Sequence, residues 1–400
     1  MNAAKCLIVF SSCLMVFFGC ARNTPAPEEG GKRGATESSR VNDETVGEGE
    51  VAAAASDAES PRTGSSGQPG VQDDEQSVQE LQKLAPSVRK DDEGLIIEVN
   101  FRETDVDDSA LPLLKGLPRL QHVLLNDTGV TDAGLKTLGK ISSLRNLDLR
   151  GCGISNQGLE HLAGLAGLQA LRLNGKSGAT TVDDKGSKAV SGLSALKVLM
   201  LDHLWVSGEG LAQLVKLDAL QELYLAQTLV DDEALATLKQ FPKLKKLRLS
   251  ATQITSQGLA HLSGLSRLEM LDLSENSQVF DDGMVHLAGL ESLKELNLWR
   301  VPITNDGVKH LAGLVNMETL NLDNTQLSDE GLKYLENMKH LTFLHLGSTA
   351  VSDAGLKYLE PLAALRDLKL TRTGVTADGV EQLKKKLPET DIQLKYIAGQ

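Results

Sequence analysis

The sequence predicts an α/β fold: a right-handed solenoid of about thirteen strands, with a curved parallel sheet on the concave face and helices on the convex face. Segments of the form Leu-x-x-Leu-x-Leu recur from Ile96 to Glu389, almost always 24 residues apart. After each comes a segment whose apolar residues stand three apart, such as Leu356 and Leu359, so the period changes from that of a strand to that of a helix. Aromatic residues make up only 3% of the chain, the balance expected when many thin layers share one aliphatic filling.

The first element is an export signal over residues 1–20. Lys5 precedes the apolar run Cys6–Phe18, and Gly19-Cys20 follows. The run is too short to span a bilayer comfortably, which takes roughly 20 apolar residues, so cleavage is expected. Residues 21–76 are rich in Gly, Ser, Ala, Pro and acid, and no aromatic stands between Phe18 and Phe101. Such a segment buries too little apolar surface to offset its chain entropy and reads as a disordered acidic tether. A flexible chain of that length spans on the order of 40 Å. Residues 77–94 are expected to hold a capping helix, with Ser77 as N-cap and Val78, Leu81 and Leu84 on one face over the first repeat.

Residues 95–400 form the solenoid with its C-terminal cap. A unit reads as in Leu341-Thr-Phe-Leu-His-Leu-Gly-Ser-Thr-Ala-Val-Ser-Asp-Ala-Gly-Leu-Lys-Tyr-Leu359. Two spacings depart from the rule: 28 residues after Leu168, where Lys176-Ser-Gly-Ala-Thr lengthens a loop, and 25 after Leu268, around Ser277-Gln278. In the Leu-x-Leu strand the leucines face inward and the residue between them outward. A Ser, Thr or Asp then opens the helix, where its side chain satisfies free backbone N–H groups. Gly at the recurring helix position, as in Gly134, Gly158, Gly258, Gly307, Gly331 and Gly355, costs roughly 1 kcal/mol inside a helix, so backbone must pack there too closely for a side chain. Gly164, Gly264, Gly289 and Gly313 fit left-handed helix ends.

With these residues in view, the chain resembles the leucine-rich-repeat superfamily over about residues 95–395. It is most similar to the cysteine-containing subtype, whose units run Leu-x-x-Leu-x-Leu-x-x-Cys-x-x-Ile-Thr-Asp-x-Gly-Leu. The loop position held there by Cys or Asn is Cys152 and Asn276 here, and Thr104, Thr128, Thr228, Thr252, Thr325, Thr349 and Thr373 elsewhere. A Thr hydroxyl can satisfy backbone groups in the same place. The resemblance implies fold and a binding role and names no ligand; relatives of this subtype join an F-box, and no such segment is recognisable here. Gly19-Cys20 resembles the lipobox of bacterial lipoproteins, which implies a thioether-linked lipid on Cys20, although Phe17 and Phe18 depart from that pattern.

Residues on the concave face are the candidate ligand contacts: Met200, Tyr224, Arg248, Met270, Trp299, Phe343 and His345, apolar or aromatic anchors among charges. A protein ligand is expected, or alternatively a glycan. The net charge of −13 leaves no basic footprint for nucleic acid. His261, His286 and His310 fall in consecutive repeats, as a tolerant outer position rather than a zinc site, and His161 precedes them. Cys6 and Cys13 leave with the signal and Cys20 is acylated, so Cys152 stands alone as a structural thiol and no intrachain disulfide is expected. The pairs Asp183-Asp184, Asp231-Asp232 and Asp281-Asp282 complement helix dipoles. No metal, cofactor or catalytic constellation is expected. The reading is a lipid-anchored, extracytoplasmic binding scaffold in the cell envelope, not an enzyme; an envelope enzyme with an unrecognised concave site, or a structural spacer, are the alternatives.

Overall fold

A computed structural model describes residues 72–395. The signal, Cys20 and nearly all of the tether lie outside the described residues. Strands form where the Leu-x-Leu alternation occurs: β1 (Ser87–Lys90), β2 (Ile96–Asn100), β3 (His122–Leu124), β4 (Asn146–Asp148), β5 (Ala170–Asn174), β6 (Val198–Asp202) and β7 (Glu222–Tyr224). They continue as β8 (Lys246–Arg248), β9 (Met270–Asp272), β10 (Glu295–Asn297), β11 (Thr319–Asn321), β12 (Phe343–His345), β13 (Asp367–Lys369) and β14 (Asp391–Gln393). The strands pair strictly in chain order, thirteen of them parallel, as the repeat count predicts, and β1 antiparallel to β2.

Inward residues pair in line, Val123 with Leu147 and Leu171 with Leu199, and all are fully buried. One aliphatic core extends from Leu81 to Leu387. No layer closes this core alone, so each unit is stable only against its neighbours. The convex elements are shorter than ordinary helices, and several are 3-10 turns, such as Gly258–Leu262 and Asp353–Tyr358. A 24-residue layer leaves room for little more than one or two turns.

The N-terminal cap differs from its sequence reading. Helix α1 runs Glu75–Leu84, and its N-cap is Asp74, whose carboxylate accepts the Ser77 N–H at 2.8 Å. Leu81 is fully buried and Val78 packs on the core, but Leu84 is exposed. Cap cover on the sheet comes instead from β1, which occupies the edge of β2.

The recurring Gly row owes its identity to the preceding layer. In each regular unit an Asp just inside the helix accepts both the N–H and the hydroxyl of the next unit's N-cap. Asp108 accepts from Thr131 at 2.8 and 2.6 Å, and Asp132, Asp184, Asp232, Asp281, Asp329 and Asp353 repeat the arrangement. The same carboxylate lies where a Cβ on the next glycine would be, so a side chain at Gly158 or Gly379 would collide with Asp132 or Asp353. The acidic pairs therefore do more than complement dipoles. Asp183 and Asp231 are N-caps, whereas Asp184, Asp232 and Asp281 are interlayer rungs.

Left-handed backbone also falls elsewhere than expected. Gly164, Gly264, Gly289 and Gly313 are not left-handed, and a Cβ at each would meet open space. The positive-φ residues stand where the strand exits: Glu103, Asp127, His203, Gln227, Ala251 and their equivalents, with φ between 50° and 62°. This turn aims the residue's N–H at the next layer; Gln227 donates to the Ser250 carbonyl at 2.8 Å and Ala251 to Ser274 at 2.8 Å.

Candidate functional site

The outward side chains of the sheet form parallel rows fixed by strand register. Met200, Tyr224, Arg248 and His345 stand in one row, while Met270 and Phe343 stand in the row two residues earlier. Trp299 lies two residues beyond Asn297, just past the end of β10. Register thus brings Met200, Tyr224 and Arg248 together on β6, β7 and β8. Phe343 and His345 share β12, their rings edge-on at 6.4 Å. Met270 and Trp299 fall between these two groups.

The N-terminal part of the face is built from charges that satisfy one another. Arg248 bridges Asp202 at 3.3 Å and Asp272 at 3.2 Å. Asp148, fully buried, takes a two-pronged bond from Arg150 at 3.0 and 2.9 Å, with Arg102 at 3.6 Å. Buried carboxylates persist only when paired in this way. Arg172 donates to Asn146, and burial lowers its pKa against the attraction of Asp148.

Tyr224 departs from the expectation of an exposed anchor. It is 8% exposed, and its hydroxyl donates to Glu222 at 3.0 Å. Burial first, and the Glu222 carboxylate second, push its phenol well above the ordinary range, so it remains a neutral donor. It serves as floor, fixed between Met200 and Arg248 in its register row. Met200, Met270, Trp299, Phe343 and His345 remain partly exposed, and Arg300 sits 5.3 Å from the Trp299 ring.

Cys152 is fully buried and its Sγ donates to the Leu125 carbonyl at 3.0 Å, reaching into the preceding layer. Burial raises its pKa, which keeps the thiol protonated and unreactive, although a Thr128 hydrogen bond pulls the other way. Asn276 likewise bonds both Leu249 in the previous layer, at 2.9 Å, and Leu273 in its own, at 2.8 Å. The Thr residues at this position differ: their hydroxyls donate to the carbonyl three residues back within the same unit, at 2.6–2.9 Å.

On the convex face His161 and His261 are exposed, and His286 and His310 partly exposed. Among the described residues no three His, Cys, Asp or Glu gather as a metal site. Further along the same row Lys333 and Lys357 lie over Tyr334 and Tyr358, at 5.1 and 4.8 Å from the ring centres. Open clefts off the concave face include one of about 360 Å³ between Asp353 and Asp378 and one of about 320 Å³ between Lys294 and His340.

Residues not anticipated from the sequence lie on the loops between strand and helix. Trp205 is 69% exposed and Phe280 50%. Trp205 occupies a position that is Gly129, Gly153 or Gln253 in other layers, and that contrast was the available signal. Phe280 takes an N-cap position and makes no cap bond, a substitution that costs about 0.5–2 kcal/mol elsewhere.

Comparison with solved structures matches two internalins. An internalin (inlF) of Listeria monocytogenes matches with a TM-score of 0.56 at 19% identity, covering 81% of this chain and 94% of that one, a likeness of fold. An internalin C2 (inlC2) of the same organism gives a TM-score of 0.40 at 26% identity over 53% of this chain and 83% of that one. No curated protein sequence matches the chain. The profile of the leucine-rich repeat region matches residues 101–357, more than half of the chain, and the protein belongs to the leucine-rich repeat family.

Proposed function

We propose that the chain is a binding scaffold that recognises a macromolecular ligand, a protein or a glycan, on its concave sheet. It would act in the cell envelope outside the cytoplasm, held to a membrane by lipid on Cys20. One observation carries the reading: from β2 to β13 the inward residue stays aliphatic and buried, while the outward residue changes from layer to layer, from Arg172 to Met200 to Tyr224 to Arg248. A rigid face of varied side chains offers one partner many matched contacts without disturbing the core. Met270, Trp299, Phe343 and His345 supply the anchors, and Met200, Tyr224 and Arg248 the preorganised floor. Export is supported by Lys5, the Cys6–Phe18 run and Gly19-Cys20.

Photo-crosslinking residues placed at Met270 and Phe343 should capture the same envelope partner, and Trp299→Ala should lower that yield several-fold. Equal capture from a crosslinker at Gly264, on the helical side, would defeat the concave site. Mass spectrometry of the mature N-terminus should find a diacylglyceryl mass on Cys20; an unmodified terminus at another residue would remove the anchor.

A further inference from the structure

The loops leading from strand to helix expose large apolar side chains away from the outward rows of the sheet. Trp205, 69% exposed, and Leu229, 38% exposed, hold the same position in adjoining layers. Those layers are joined loop to loop, the Leu229 N–H donating to the Val206 carbonyl at 2.9 Å. Two layers further on, Phe280 stands 50% exposed in a position where Thr255 and Thr304 cap their helices. A bare aromatic in place of a cap sacrifices local stability without a gain in packing, the pattern of a site kept for function.

Beside this apolar ridge runs a line of acid. Glu209, Glu233 and Asp282 occupy equivalent first-turn positions of these layers, and all are exposed. Among the described residues no lysine or arginine forms an ion pair with any of them. Other carboxylates of the same layers, Asp184, Asp232 and Asp281, are already committed as interlayer rungs. Free acid therefore flanks exposed Trp, Leu and Phe in three layers of a run of four, the third layer presenting the uncharged Gln253 and Gln257 instead.

We infer that this edge docks a cationic amphipathic segment of a protein partner, one that sets apolar side chains on Trp205, Leu229 and Phe280 and Lys or Arg against Glu209, Glu233 and Asp282. Aromatic anchors ringed by charge provide affinity, and the acid selects the partner's sign and the on-rate. The acidic line disfavours an anionic membrane surface.

The test titrates the full chain with a fluorescein-labelled amphipathic peptide of lysine and leucine, read by anisotropy. Trp205→Ala is expected to weaken binding roughly 10- to 30-fold, and paired Glu209→Lys and Glu233→Lys to weaken it comparably and flatten its salt dependence. Phe280→Ser should weaken binding while raising Tm by roughly 2 °C, because it restores a cap; a folding defect would lower both. Trp299→Ala should leave this affinity unchanged, which separates the edge from the concave face. A lysine-only peptide of equal charge should bind at least tenfold more weakly. Equal affinity of the parent and Trp205→Ala, or of the two peptides, would overturn the assignment. So would a parent dimer in sedimentation that Trp205→Ala dissociates, which would give the edge to a second copy.

Discussion

The two edges of each layer are stitched in opposite ways. On the edge where helices begin, side chains tie each layer to the next: Asp132 holds Ser155 and Asp329 holds Ser352. On the edge where strands end, side chains mostly tie a layer to itself, as Thr349 does with the Leu346 carbonyl at 2.6 Å. The backbone accounts for the difference. At the strand exit a left-handed residue already sends its N–H to the neighbouring layer, as Ser348 does to Thr371 at 2.8 Å. At the N-cap the backbone N–H goes to the Asp carboxylate instead, so the side chain supplies what the backbone ladder does not.

This contrast can be broken, beginning with its strongest consequence. Gly158→Val forces a side chain into the Asp132 carboxylate and should destabilise by about 3 kcal/mol in urea unfolding, whereas Gly164→Val, facing open space, should stay within about 0.5 kcal/mol. Equal effects would remove the steric account of the glycine row. Asp132→Ala should lose about 2 kcal/mol, and a double-mutant cycle with Ser155→Ala should return a coupling above about 0.5 kcal/mol; additivity would mean the rung transmits nothing between layers. Thr349→Val should lose about 1 kcal/mol, with no coupling to Thr373→Val in the next layer. A coupled pair would erase the distinction between the edges.

The irregular layers sharpen the comparison. Where the N-cap is a carboxylate, the rung is never one: Asp183 faces Asn156, whose Nδ2 donates to it at 2.8 Å, and Asp231 faces Gly208. With no carboxylate at Gly208, the following glycine is freed to become Ala234, which packs on Gly208. Replacing all three as Gly208→Asp, Asp231→Ser and Ala234→Gly should rebuild a regular rung and raise stability by about 1 kcal/mol, while Gly208→Asp alone should lower it. A stabilising single change would refute the charge rule. The smallest effect is on the backbone: Ala251→Gly, at φ 51°, should gain about 0.5 kcal/mol in thermal unfolding, and a loss would show that the left-handed turn is not strained.

Much of this was legible in the residues. Strand number and register followed from the Leu-x-Leu spacing, and the tight glycine row from its recurrence, since both depend on short-range pattern. The Asp183 with Asn156 and Asp231 with Gly208 exchanges were also present in the sequence, but a dipole reading of acidic pairs hides them, because the partner lies a whole layer away. The left-handed row had no such signature: Glu103, His203, Ala251 and Arg372 share no chemistry, and the stack imposes their conformation. Tyr224 reads as exposed from alternation alone, and its burial comes from long side chains around it on the same face. Ser87-Val-Arg-Lys90 lacks alternating apolar residues, so β1 emerges only from the unfilled edge of β2.

The long layer shows where the solenoid accepts extra chain. The residues added around Gly178, itself at φ +78°, leave both edges stitched: Thr180, whose counterparts bond within their own layer, donates instead to the Cys152 carbonyl of the preceding one at 2.8 Å, and Asn156 meets Asp183. β5 and β6 even lengthen their pairing to Asn174 and Asp202. An inserted peptide between the strand end and the N-cap is therefore held at two fixed posts, and its middle closes on itself in a local turn, the Gly178 N–H donating to the Gly175 carbonyl at 2.9 Å and the Lys176 N–H to Asn174 at 2.7 Å. That makes the spot a natural grafting position, where new recognition loops can be displayed without redesigning any layer beneath them.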